Sequence, residues 1–96
     1  MLMQENQMSL ASIPFTVGNI TGTIYDFEVV GDVLPNHVHD DSTAHITIVA
    51  RGSIKVTGDG WQQNWEAGRV AEIKSFQSHE FEALENNTRV INIRKN

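Results

Sequence analysis

A chain of 96 residues is enough for one domain with a modest core. Seven basic against twelve acidic side chains leave a net charge of -5, which, with no Lys/Arg cluster, argues against nucleic acid or an anionic membrane as the main partner. Cysteine is absent, and that excludes disulfides, thiolate metal ligands and cysteine nucleophiles.

Residues 1–12 are expected to form an N-terminal segment, flexible or laid across a dimer interface, ahead of a single domain over 13–96. The first residues have neither a basic n-region nor a long apolar stretch, so they do not read as a signal peptide. No apolar run nears membrane-spanning length, and a cytoplasmic protein is the expectation. From Ile13 the chain becomes a series of short β-type runs. Ile13 to Val17 is a weak first strand, turned by Gly18-Asn19. Thr23 to Val30 alternates, with Ile24 facing away from Tyr25, Phe27 and Val29, and Gly31-Asp32 turns the chain again. The next run, Val33 to His39, contains Pro35-Asn36 and reads as an edge or bent strand.

After the polar connection Asp40 to Thr43, Ala44 to Ala50 is apolar on both faces, as a central strand would be. Arg51-Gly52-Ser53 turns into Ile54 to Thr57, and Gly58-Asp59-Gly60 is a strong hairpin signal leading into Trp61 to Ala67. Arg69 to Ile73, Ser78 to Leu84 and Thr88 to Arg94 complete the pattern, with Lys74 to Gln77 and Glu85 to Asn87 between them. No segment shows helical periodicity, so the expected fold class is all-β, a sandwich or barrel.

All four histidines bear on function: His37, His39, His45 and His79. Strand parity puts His37 and His39 on one side of their strand, His45 with Thr47 and Val49 on the next, and His79 with Phe81 and Ala83. Three neighbouring strands thereby aim several imidazoles into one space, and neutral imidazole suits Zn, Fe, Cu, Ni or Co. The blander readings are an exposed polar pair for His37 and His39, a core histidine bonded to backbone for His45, and an exposed strand residue for His79. Glu80 and Glu82 have the opposite parity to His79 and read as a solvated face. Asp40 and Asp41 read as loop residues. Tyr25, Trp61, Trp65, Phe76 and Phe81 read as core or interface packing, with one or two walling a pocket. Arg51 and Arg69 are weighed as carboxylate binders, and surface placement is preferred for both.

Gly31, His37-Val38-His39, His45 and Gly52, followed by Gly68 and His79, resemble the two motifs of the cupin superfamily. In the first motif, His45 stands where the family has a glutamate, after a longer spacer. In the second, Lys74, Phe76 and Ala83 replace the family's Pro, Gly and Asn. The resemblance spans residues 23 to 93. It implies a single-domain cupin-type jelly-roll β-barrel, and the His45 replacement looks like the four-histidine variant of the metal site. On that reading His37, His39, His45 and His79 hold a divalent transition metal (Fe, Zn, Ni or Mn). Without a carboxylate ligand the ion keeps its full charge, which favours an anionic or enolate-like ligand. The implied functions are a dioxygenase, or an isomerase, cyclase or lyase, acting on a small oxygen-rich molecule. A non-catalytic metal- or ligand-binding barrel is the alternative. The two-sided apolar strand around Ile46 and Ile48 adds the expectation of a homodimer.

Overall fold

The computed structural model describes residues 10–37, 45–74 and 78–95, with the backbone alone for residues 36, 37 and 95. Most of them lie in nine strands: β1 (Leu10–Val17), β2 (Ile20–Phe27), β3 (Val33–His37), β4 (His45–Arg51), β5 (Ser53–Gly58), β6 (Trp61–Glu66), β7 (Val70–Ile73), β8 (His79–Ala83) and β9 (Thr88–Lys95). They form two antiparallel sheets, one in the order β1-β2-β9-β4-β7 and the other β3-β8-β5-β6. No ladder among the described residues joins the two sheets, so the barrel is closed by packing.

That packing follows from the period-two pattern. Phe27, Val49, Ile73 and Val90 project from the five-stranded sheet, while Ile54, Val56, Trp65, Phe81 and Ala83 project from the other. All nine are buried in one core. The expected strands are present, with shifted ends. The second run stops at Phe27 instead of Val30, leaving Val29 and Val30 exposed. Asp32 causes this: its Oδ2 accepts the Val29 N–H at 3.1 Å and its own N–H donates to the Val29 carbonyl at 3.1 Å. Asn86 Oδ1 accepts the Val30 N–H at 2.7 Å, so the segment closes as a turn before it can pair as strand. β3 is an edge strand with a register shift between Leu34 and His37, where Pro35 and Asn36 fall.

Gly52 fixes the corner where the chain passes from one sheet to the other. Its φ of +77° is left-handed, and a Cβ there would collide with Thr88 Oγ1 and lie 2.9 Å from Thr88 Cα. Thr88 is itself buried and donates to the Glu85 carbonyl at 2.9 Å.

The outer face of the five-stranded sheet carries one aliphatic row that runs from edge to edge. Ile13, Ile24, Ile91, Ile48 and Val70 stand directly opposite one another across β1, β2, β9, β4 and β7. The adjacent row is Phe15, Gly22, Ile93, Ile46 and Glu72, and a Cβ at Gly22 would lie 2.5 Å from Phe15 Cζ. Ile13, Ile46 and Val70 are 46%, 38% and 60% exposed, so this row of side chains faces outward.

Candidate metal centre and adjoining cavity

The turn at Gly52 also sets which residues share an end of the molecule. β4 runs towards Gly52 and β5 away from it, so His45 at the start of β4 and Gly58 at the end of β5 lie at the same, far end. Gly58 pairs with His79, which in turn pairs with His37. The end distant from Gly52 thus carries His45 on one sheet and His79 on the other.

Both imidazoles face inward. His79 is fully buried, its Nε2 included, and its ring centroid lies 5.3 Å from that of Phe81 at a tilt of 39°. His45 is 8% exposed and shares its face with the buried Thr47 and Val49. The sequence parity therefore gave both orientations correctly. His37 is placed through its backbone, across the ladder from His79. His39 lies outside the described residues, as do Asp40, Asp41 and Phe76. Among the described residues, no three histidine or carboxylate side chains come together as a metal-binding group.

A cavity of about 230 Å³ opens beside His45 on the inner face of the five-stranded sheet. Thr21, Thr23 and Tyr25 of β2 and Asn92 and Arg94 of β9 line it with His45. Ladder register accounts for this set: Thr21 pairs with Arg94, Thr23 with Asn92, and Thr47 of β4 with the same Asn92. Thr47 Oγ1 donates to Asn92 Oδ1 at 2.6 Å inside the molecule. That bond satisfies two buried polar groups where the apolar core gives way to the cavity. It also leaves the Asn92 amide nitrogen as the donor able to serve a ligand.

Arg94 and Asn92 were missed as site residues, although a signal was present. Along Thr88, Val90, Asn92 and Arg94 the inward positions of β9 turn polar towards one end, while Ile91 and Ile93 stay apolar outside. The two arginines weighed from sequence sit elsewhere. Arg51 is exposed and its Nε donates to the Asn87 carbonyl at 2.7 Å. Arg69 is exposed, with its guanidinium 5.2 Å from the Trp65 ring centre. Trp65 and Phe81 pack in the core, while Tyr25 is half-buried and lines the cavity. Glu82 meets Lys55 at 3.2 Å on the opposite side of β8 from His79.

The two facing antiparallel sheets are an arrangement shared with solved structures of the cupin fold. KdgF from Halomonas sp. superposes with a TM-score of 0.80 at 19% identity, covering 96% of this chain and 84% of that one. A cupin superfamily protein from Desulfitobacterium hafniense gives 0.77 at 13% identity, over 97% and 81% of the two chains. An oxalate decarboxylase variant from Bacillus subtilis gives 0.79 at 18% identity, over 94% of this chain and 26% of the longer enzyme. No family model matches the sequence, and no curated protein does. The chain has the cupin fold.

Proposed function

We propose that this protein is a metal-dependent cupin enzyme acting on a small oxygen-rich organic molecule, with a divalent transition ion held by His37, His39, His45 and His79. The observation that carries the reading is the inward burial of His45 and His79 from facing sheets at one end of the barrel. The ladder adds the backbone of His37 opposite His79. The donor set fits such an ion, because imidazole nitrogen is a borderline-soft ligand suited to divalent transition metals. When bound there, the ion would supply Lewis-acid polarisation of a substrate oxygen, or oxygen chemistry if it is iron.

The chain's own residues supply the rest. Thr47 fixes Asn92 so that its amide can orient a ligand, and Tyr25 and the two threonines offer hydroxyls on the same wall. Phe81 packs against the His79 ring and keeps water from that side.

Elemental analysis of purified and metal-reconstituted protein, beside His→Ala variants at 37, 39, 45 and 79, tests the assignment. Near-stoichiometric metal in the wild type, lost in each variant, is the expected result. Retention in His45→Ala would leave a three-histidine centre. A wild type that takes up no metal would make this a metal-free binding barrel.

We propose further that two copies pair through the outer face of the five-stranded sheet. The supporting observation is the aliphatic row from Ile13 to Val70, continuous across five strands and unbroken by charge. Five strands of this length present a face of roughly 20 by 25 Å, about 500 Å² in projection before side-chain relief is added, against the ~800 Å² per partner of a standard interface.

A further inference from the structure

We propose that the open edge of β7 receives an extended peptide as a sixth strand of its sheet, with a basic residue of that peptide opposite Glu72. This goes beyond the reading above and does not depend on bound metal.

The case begins with the sheet edges. β7 ends one sheet and β6 ends the other, and no ladder among the described residues bridges them. Alternate backbone N–H and C=O groups of β7 therefore stand without a strand partner. A cleft of about 410 Å³ lies between the two edges. Arg69 and all four residues of β7 line it, inward and outward positions alike. β6 contributes only Trp61, Gln63 and Trp65, which share its inner face with the buried Ile54 and Val56 of β5. A space bounded by every residue of one strand and a single face of another follows the first strand's edge. An added strand fills that shape, because it needs backbone on one side and a floor of side chains for its alternate residues.

Two contacts keep the floor in place. The Trp61 indole lies on Gly58, where a Cβ would collide with it, and so turns towards β5 and away from β7. The Arg69 guanidinium, 5.2 Å from the Trp65 ring centre, closes the end nearer Gly52. β7 contains no proline and pairs with β4 without a register shift, so its free edge is unbroken.

Parity sets the chemistry of the occupant. Residues opposite one another in a ladder share a face, so those opposite Ala71 and Ile73 turn inward over Trp61 and Gln63 and should be apolar. The residue opposite Glu72 turns outward. Glu72 is exposed and has no ion pair among the described residues. With a net charge of -5 on the chain, lysine or arginine is the complement at that position. Four residues of strand span roughly 13 Å, so a short peptide suffices.

The probe is acetyl-Ser-Val-Leu-Lys-Leu-Val-Ser-amide, which reads alike in both directions and so serves parallel or antiparallel pairing. Both tryptophans of the chain line the cleft, so the two indole N–H signals of nitrogen-labelled protein report on this site. In an NMR titration the Trp61 signal is expected to shift and amide exchange along β7 to slow. Glutamate in place of the peptide lysine should weaken binding about 2- to 5-fold, the range of a cross-strand charge pair, and Glu72→Lys should reverse the preference. A peptide methylated at every backbone nitrogen cannot donate to the ladder and should not bind. These peptide comparisons use the wild type, so they stand even if Glu72→Lys fails to fold. No shift at millimolar peptide would overturn the proposal. Equal binding of the methylated peptide would do the same, because side chains alone would then fill the cleft. So would a preference for lysine that persists in Glu72→Lys. β7 amides already protected without peptide would show the edge occupied, by a second copy if protection rises with concentration and by the chain itself if not, and would overturn it too.

Discussion

Asp26 shows how single side chains tune this fold. Its carboxylate accepts two hydrogen bonds from Arg89, Nε at 2.7 Å and Nη2 at 2.9 Å, with Arg51 4.0 Å away. The Arg89 hydrogen bonds hold the Asp26 carboxyl below its ordinary value of 3.8, with the charges of Arg89 and Arg51 adding to the effect against a cost of burial. A carboxyl held low in the folded state binds fewer protons than in the unfolded chain. It therefore stabilises the fold above its ordinary value, and that stabilisation is lost as pH falls through the folded one. Asp26→Asn should lower Tm slightly at neutral pH, and the gap to wild type should narrow in melts taken below pH 3.8. An unchanged gap at low pH would rule out this linkage. The effect is small because the pair is partly solvated.

Gly52 is the contrasting case. Gly52→Ala forces a side chain into a left-handed backbone and against Thr88, which should cost about 2–4 kcal/mol in urea unfolding. Wild-type stability in that variant would show that the corner does not depend on a left-handed Gly52 packed against Thr88. The inward faces of His45 and His79 were legible at this scale because parity is local: burial of Phe81 and Ala83 fixes the side on which His79 lies. Arg94 was not, because its ladder partner Thr21 is remote in sequence and meets it only through the β2–β9 pairing.

At the scale of elements, the turn chemistry decided where expectation and structure part. Alternation alone carried the second strand to Val30, whereas the hydrogen bonds of Asp32 and Asn86 stop it at Phe27. Pro35 gave the edge character of β3 directly, since proline cannot serve an interior ladder. The two-sided apolar character of β4 has two separate causes. Thr47 and Val49 face the interior, while Ile46 and Ile48 belong to the outer aliphatic row. That row gives a prediction about association. Replacing Ile13 and Val70, both well exposed in one chain, with glutamate should leave the fold intact and convert a dimer to a monomer in sedimentation equilibrium. A wild type that is monomeric at high concentration would remove the proposed interface.

For the whole molecule, the alternating runs and their turns specified an all-β domain, and the two sheets follow them closely. Strand order was not readable from the pattern. β9 lies between β2 and β4, and β8 between β3 and β5. Among the described residues no helix is long and apolar enough to cross a membrane. A domain this small gains much from any ligand that binds only its folded state. Metal at a hundred times its Kd adds about 2.7 kcal/mol, so removing it with a chelator should lower Tm by roughly 10 °C or more. A melt indifferent to chelation would speak against a tightly held ion.

The central claim is that histidines from the two facing sheets converge on one metal ion. X-ray absorption spectroscopy of the metal-loaded protein tests it most directly, because imidazole rings leave a characteristic outer-shell scattering pattern that can be counted. The account predicts three or four imidazole nitrogens at about 2.0–2.2 Å, with one fewer in both His45→Ala and His79→Ala where metal is retained. A first shell of oxygen alone, unchanged by either substitution, would contradict it.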